Sequence, residues 1–250
     1  MHRKSPPRLP ALAQNFGLLA SPPPLAVVVA RAFASCALAM RAQLDTHDDP
    51  AAVLLMVEQS RLWLADHGFD RVLDAEEVTA LATAPGELTP AIRERYGLLG
   101  EAATVLAWGL RRLRLPAPDH SAEAADAAAA LGFLGEAGAT LATSARLRDR
   151  DETARYADIA GALHWRIQRQ LTEPGAVLMG RWRSDQLNWP DEVTPADFVL
   201  EDLALDGRAI GLLSDSELLR WLQSTAERHR AALWLLGQQR DYWQVSAQVS

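Results

Sequence analysis

The chain has 250 residues, of which 49% are hydrophobic and 23% charged, with 15 glycines, 14 prolines and one cysteine. This composition is typical of a globular protein and excludes a collagen-like chain, a disulfide-rich secreted scaffold and a fully disordered protein. The formal net charge of -7 disfavours nucleic acid and anionic membrane surfaces as partners, because both repel a negatively charged protein. The single cysteine, Cys36, allows no internal disulfide, so we expect a cytoplasmic protein.

The amino-terminal segment allows two interpretations. Residues 1–24 are rich in proline and show little periodicity, so we interpret them as a flexible tail. Apolar residues in Leu25–Leu44 recur at helical spacing and predict an amphipathic helix. The alternative is a signal core at Leu25–Ala30 with a lipoprotein-like cleavage site before Cys36, but that run is shorter than the ~7–15 residues of a signal core. A lipid anchor at Cys36 therefore remains a minor alternative.

Capping signals divide the next part of the chain into helices. Asp49 followed by Pro50 predicts the start of a helix that ends at Gly68, where a left-handed residue is favourable only for glycine. This helix carries Val53, Leu54, Val57, Arg61, Leu62 and Leu64. Asp74 with Glu77 is the residue pair of a capping box, so a short helix is expected to begin there.

Two further helices are expected before residue 145. Thr89 with Pro90 predicts a helix whose apolar stripe extends to Leu113 and which ends before Pro116. Residues 121–143 are rich in alanine and predict another helix, in which each glycine costs about 1 kcal/mol relative to alanine. We interpret three glycines in it as points of close helix–helix approach: Gly132, Gly135 and Gly138.

The last part of the chain combines helices with one hairpin. A helix is predicted from about Asp151 to Leu171 by its 3–4 residue apolar spacing. Asp206-Gly207 is the pair favoured in a two-residue type I′ turn, which predicts a small hairpin near residues 198–210. Ser214 and Glu217 form a second capping-box pattern, which starts a helix that continues to about Gly237.

These elements predict a mainly α fold. Strands do not alternate with helices along the sequence, so a parallel sheet is not expected. We expect a single multi-helix, bundle-like domain over residues 25–250, with the hairpin as a small β insert and residues 1–24 as its tail.

The sequence carries no signature of nucleophilic, metal or phosphate chemistry: it lacks a Gly-x-Ser-x-Gly elbow, His-Glu-x-x-His, Cys-x-x-Cys and a Walker loop. We therefore expect neither a metal ion nor a cofactor. Two helical segments contain the candidate chemistry, Leu163–Arg166 and Glu227–Leu235. His164 and His229 follow the apolar stripes of their helices, so both imidazoles are expected to point inward or along the rim.

Three interpretations of these segments remain open. In the first, the histidines join two helices within the core and are hydrogen-bonded there. In the second, the helices line a polar cleft in which three side chains transfer protons: His164, Glu227 and His229. An arginine would then hold a small anionic substrate, the candidates being Arg166, Arg228 and Arg230. In the third, Trp165 and Trp234 form a recognition surface with these arginines, because tryptophan and arginine dominate binding hot spots.

Several segments resemble an uncharacterised bacterial family, the domain of unknown function numbered four-two-seven-two. They are Trp63-Leu64 with His67-Gly68-Phe69, Asp74–Leu81, Arg95-Tyr96 leading to Val105–Leu110 and Leu115-Pro116, Leu163–Arg166, Asp202–Ile210 and Glu227–Gly237. The resemblance covers roughly residues 35–245, and Glu227–Gly237 is its most specific part. This chain has Leu233 where the family usually has asparagine, and Tyr242–Ser246 replaces an aromatic-acidic segment with closing threonines. The resemblance implies a helical, cytoplasmic, bacterial protein and supplies no substrate.

The absence of catalytic motifs, the acidic charge and the many tryptophans and arginines favour a non-enzymatic protein that binds another protein. Such a protein would act as an immunity-like or regulatory partner. The alternative is an enzyme that uses the His164, Glu227 and His229 cleft on a small anionic substrate. That alternative requires the two imidazoles to lie within reach of a hydrogen bond or of one bridging water.

Overall fold

A computed structural model describes most of the chain, namely residues 21–115, 120–174, 198–199, 202–238 and 241–245. The described residues are mostly helical with a small antiparallel sheet, which confirms the expected fold class. They divide into two compact units. The N-terminal unit comprises residues 22–115 and 122–148, and the C-terminal unit is formed mainly by residues 149–250 with 116–121. Residues 1–20 of the predicted tail lie outside the described residues, and the single domain over 25–250 remains a prediction.

The N-terminal unit is built around helix α1 (Leu25–Leu44), in which every residue from Val28 to Ala39 is buried. The predicted helix is confirmed, but its predicted amphipathic character is wrong, because several neighbouring elements pack against α1. Within the described residues α1 is the one helix long and apolar enough to span a membrane, and 78% of that apolar window is buried inside the protein. A core helix has the same composition, so this property of α1 is weak evidence for a membrane span.

Two arginines of α1 lie in the core, each with an acidic partner. Arg31 forms an ion pair of 2.8 Å with Glu77, and Arg41 forms one of 2.7 Å with Asp45. Arg41 also donates to two backbone carbonyl oxygens, and the N–H of Gly86 donates to Asp45. These partners supply the hydrogen bonds that a buried charge requires. The apolar spacing of α1 does not reveal either pair.

The capping residues define the next helices as predicted. Helix α2 (Pro50–Asp66) begins after Asp49, whose carboxylate accepts the N–H groups of residues 51 and 52 at 3.1 and 3.0 Å. Gly68 has a φ of 67° and directs the chain into a 3-10 turn (Phe69–Val72). Helix α3 (Ala75–Ala82) begins with the predicted capping box of Asp74 and Glu77.

Two predicted helices are broken in the structure. The segment from Pro90 forms α4 (Pro90–Gly97) and α5 (Leu99–Gly109), with Leu98 between them, and it stops well before Pro116. Every residue of α5 is buried, whereas Tyr96 is the one buried residue of α4. A single apolar stripe predicts neither the break at Leu98 nor burial on all sides of α5.

The alanine-rich segment also divides, into α6 (Ala124–Leu131), α7 (Glu136–Ala139) and α8 (Leu141–Ser144). Gly132 ends α6 with a φ of +72°, a conformation that L side chains rarely adopt. A Cβ on Gly138 would lie 2.4 Å from the carbonyl oxygen of Gly132. These two glycines therefore allow a loop to fold onto itself. The predicted helix–helix approach is confirmed at Gly138 of α7, where a Cβ would also lie 3.1 Å from the Trp63 ring of α2, but at Gly132 the close contacts are with the loop and α7 next to it in the chain.

In the C-terminal unit, α9 (Arg150–Thr172) and α10 (Asp215–Leu235) pack against each other. Between them in sequence lie three antiparallel strands, paired in chain order: β1 (Phe198–Val199), β2 (Asp202–Leu205) and β3 (Arg208–Ala209). Asp206 and Gly207 have φ angles of 54° and 65°, as a type I′ turn requires, so the predicted hairpin is confirmed. Apolar side chains of α9, β2 and α10 form one core, which includes Leu163, Ile167, Leu203, Leu205, Leu218 and Trp221.

Candidate functional site

Helices α9 and α10 bring the two candidate histidines together. The ring centroids of His164 and His229 are 6.4 Å apart with an interplanar angle of 74°. The two residues are 8% and 3% exposed. The two rings are close and buried because each histidine lies on the apolar stripe of its helix, and these stripes face each other when the helices pack. This geometry suits an internal imidazole pair that joins two helices.

Arg166 of α9 forms an ion pair with Asp202 of β2 and so links the hairpin to this helix. Its Nε and Nη2 donate to the two carboxylate oxygens of Asp202 at 3.0 and 2.8 Å, and its Nη1 donates to Gln170 at 3.1 Å. Asp202 also accepts the N–H of Gly211 at 2.9 Å. All three donor nitrogens of Arg166 are thus engaged within the protein, and a bidentate pair of this kind is among the stronger side-chain contacts. Asp202 and Gln170 therefore compete with any anion for Arg166.

The candidate charges on α10 point to different neighbours. Glu227 accepts hydrogen bonds from Arg230 and from the hydroxyl of Tyr242, while Arg228 donates to the carbonyl oxygen of His120. Residues two apart on an α-helix leave the axis in directions about 200° apart. Glu227 and His229 are two residues apart, so one side of α10 carries the histidine and another carries the carboxylate.

The tryptophans predicted for recognition differ in exposure. Trp234 is 2% exposed, and its ring packs edge-on against Tyr242 at 5.7 Å. Trp165 is half-buried. Arg230 lies 5.6 Å from the ring centre of Trp243, in a 3-10 turn (Tyr242–Gln244) near the end of the described chain. Trp234 is therefore part of the core of the folded C-terminal unit, where a partner cannot contact it.

Helix α2 exposes a set of leucines that sequence reasoning missed. Its buried residues are Val53, Val57, Ser60 and Leu64. Leu54, Leu55 and Leu62 are 57%, 61% and 55% exposed, so these three leucines lie outside the buried stripe of α2. Eight large hydrophobic side chains are exposed in the described part of the chain, and four of them lie on α2, namely the three leucines and Met56.

We call this surface the α2 outer face and define it by the exposed residues Ala51, Leu54, Leu55, Glu58, Arg61, Leu62 and Ala65. Its charges are Glu58 and Arg61, joined by an ion pair of 2.6 Å whose side chains are 48% and 45% exposed. The sequence signal that could have revealed it is the run Val53–Val57, five consecutive apolar residues. In a surface helix such a run must place apolar side chains on the outward side.

Cys36 lies at the centre of α1 and is 0% exposed. Burial raises the pKa of its thiol to about 12, so the thiolate that reacts is scarcely populated. A folded N-terminal unit does not present this thiol for acylation, which counts against the lipid anchor. Within the described ranges no three His, Cys, Asp or Glu side chains are grouped so that they could hold a metal ion.

One comparison with known proteins identifies a family. The model of the domain of unknown function DUF4272 matches residues 10–179, about two thirds of the 250 residues. The matched range includes α1, α2 and α9, and it ends before Glu227–Gly237, the most specific part of the resemblance. No curated protein and no solved structure matches the chain. The chain belongs to the family described as domain of unknown function DUF4272.

Proposed function

We propose that this chain is a non-enzymatic protein that binds another protein, and that the α2 outer face is its contact surface. The supporting observation is that Leu54, Leu55 and Leu62 are each more than half exposed on one helix. Burying a leucine side chain is favourable by roughly 1.5–3 kcal/mol. A partner that covers three of them therefore gains several kcal/mol, and clustered exposed apolar groups are typical of interaction sites.

The alternative, an enzyme acting on a small anion, draws support from the closeness of His164 and His229. Its proposed anion-holding groups are already engaged, since Arg166 is paired with Asp202, Arg230 with Glu227, and Arg228 donates to the carbonyl oxygen of His120. Release of Arg166 would leave two buried charges without each other, which is costly. We therefore favour protein binding and retain the enzyme as a prediction.

The proposal is tested by using the tagged full-length chain to capture partner proteins. The double variant Leu55→Asp with Leu62→Asp places two carboxylates on the α2 outer face, and Leu219→Asp is the matched control. Leu219 is 54% exposed on α10, close to the exposures of Leu55 and Leu62. All three tagged proteins are expressed in the organism that encodes the chain, together with an untagged copy, so that a second copy also counts as a partner.

A protein retained by the wild type and by Leu219→Asp, but lost from the double variant, is the expected result. Circular dichroism and urea unfolding verify that the double variant folds as the wild type does. If every captured protein is retained equally by all three baits, or if none is captured, the α2 outer face is not a contact surface and the proposal is wrong.

A further inference from the structure

We infer that the partner that covers the α2 outer face is a second copy of this chain, with the two α2 helices antiparallel about a two-fold axis beside Glu58. This inference rests on the proposed function, since it names the occupant of the same surface. A two-fold interface uses the same patch on both copies, so the patch must be complementary to itself. The α2 outer face meets this condition in both its shape and its charge.

The residues of the face are placed at matching distances on the two sides of Glu58. In an antiparallel helix pair centred at residue 58, a residue a given number of positions before 58 lies opposite the partner's residue the same number of positions after 58. Ala51 then lies opposite the partner's Ala65, Leu54 opposite the partner's Leu62, and Leu55 opposite the partner's Arg61. Alanines thus meet at the two ends, which allows the helices to approach, Leu54 meets a leucine, and Leu55 packs against the aliphatic part of an arginine.

The charges at the centre are also complementary. Glu58 lies near the axis, close to the partner's Glu58, and these two carboxylates alone would repel each other. Arg61 is three residues further along α2, about 4.5 Å of helix rise, so it can reach the partner's Glu58 as well as its own. In the single chain Arg61 already contacts Glu58 at 2.6 Å on this face. The paired helices therefore place two carboxylates among two guanidinium groups, with no net charge at the centre.

This balance matters because each copy carries a net charge of -7. Two acidic proteins repel each other in general, and association is favourable only through a surface that lacks the excess of acidic groups. The α2 outer face has one acidic and one basic residue. A pair of helices of this length buries on the order of 1,000 Å² in total, at the low end of specific interfaces, so we expect a reversible dimer with a Kd of about 1–100 μM.

The dimer is measured by sedimentation equilibrium of the purified full-length chain across this concentration range. The wild type and Leu219→Asp are expected to dimerise reversibly, and Leu55→Asp with Leu62→Asp is expected to remain monomeric. Charge reversals test the two-fold pairing itself. Glu58→Arg leaves only positive charges at the centre and Arg61→Glu only negative ones, so each variant alone should dimerise at least about tenfold more weakly.

An equimolar mixture of Glu58→Arg and Arg61→Glu pairs a positive centre with a negative one, so dimers should return with an affinity near that of the wild type. Three results would each overturn the inference. The wild type could be monomeric at every concentration, the α2 substitutions could leave the dimer unchanged, or the mixture could dimerise no more tightly than either variant alone. If a different protein is still captured in a face-dependent manner, the inference fails and the proposed function stands. If nothing depends on the face, both fail.

Discussion

Helices α1 and α2 of the N-terminal unit show opposite relations between sequence and burial. Helix α1 is enclosed, and even its Arg31 and Arg41 are at most 2% exposed. Helix α2 has one narrow buried stripe, and its Leu54 and Leu55 are more than half exposed. The two arginines of α1 have internal ionic partners, whereas the leucines of the α2 outer face are exposed to water. A charged residue inside a fold thus indicates an internal partner, and an apolar cluster outside indicates an external one.

The largest effect expected for the α1 region follows from removal of Glu77. Glu77→Ala leaves the guanidinium of Arg31 buried without its carboxylate, so the free energy of unfolding should fall by about 3–5 kcal/mol. Glu76→Ala is the matched control, because Glu76 pairs with Arg95 at the surface with side chains 52% and 37% exposed. That control should cost at most about 1 kcal/mol in urea unfolding. Equal losses for the two variants would mean that burial of Arg31 does not set the cost.

The two sides of α2 are compared by substituting leucines two residues apart. Leu64 is 0% exposed and Leu62 is 55% exposed. Leu64→Ala should lower the free energy of unfolding by about 2–5 kcal/mol, because it opens a cavity. Leu62→Ala should change it by no more than about 0.5 kcal/mol when the protein is dilute enough to be monomeric. A large loss for Leu62→Ala under those conditions would show that the outer face is packed within the monomer.

The Arg41–Asp45 pair makes the stability of the N-terminal unit depend on pH. Burial would raise the pKa of Asp45, but hydrogen bonds from Arg41 and from the N–H of Gly86 outweigh burial and hold that pKa below its ordinary value of 3.8. The unfolded state then binds the proton more readily than the folded state. The stabilisation by ionised Asp45 is therefore complete above pH 3.8 and is lost as the pH falls through the lower pKa of the folded state.

Asp45→Asn should therefore lower the free energy of unfolding near neutral pH by about 1–3 kcal/mol. The difference from the wild type should shrink as the pH falls from 3.8 through the lower pKa of folded Asp45, because the wild-type side chain is neutralised over that range. Unfolding curves for both proteins across this acidic range provide the measurement. A difference that stays constant down to the lowest pH would show that the charge of Asp45 contributes nothing.

The smallest effect is expected at the surface of the C-terminal unit, where α10 begins. The hydroxyl and N–H of Ser214, followed by Arg208, lower the pKa of Glu217 to about 2. Ser214→Ala removes the helix cap, and loss of such a cap typically costs about 1 kcal/mol. It should also move the pKa of Glu217 upward, toward 4.5, which an NMR titration detects. An unchanged titration would show that Ser214 does not hold that carboxylate.

Local features were predictable from the sequence because neighbouring residues determine them. The caps at Asp49, Asp74 and Ser214 and the turn at Asp206-Gly207 each depend on a few successive residues, and all four occur as predicted. Long-range features were not predictable in this way. Glu77 is 46 residues from its partner on α1, and no local pattern links the two. Enclosure of α1 on several sides likewise depends on distant helices.

The candidate sites show the same difference between local features, which the sequence predicts, and long-range contacts, which it does not. Helical periodicity was enough to place His164 and His229 on packed stripes. It could not show that Asp202, 36 residues from Arg166, engages that arginine from the hairpin. On α2 the apolar residues lie on both sides of the helix, so periodicity alone could not tell which leucines pack inward. Only the fold showed that Leu54 and Leu62 point away from the core.

The pairing of two α2 helices is tested most directly by cross-linking at its centre. Glu58→Cys places one thiol of each copy beside the two-fold axis, and the natural Cys36 does not compete because it is 0% exposed. Mild oxidation of the full-length chain at concentrations where the wild type associates should link Glu58→Cys into a disulfide dimer. Leu219→Cys, the control at a similarly exposed leucine, should remain monomeric. Equal linkage of the two variants, or no linkage of Glu58→Cys, would contradict an α2-mediated dimer.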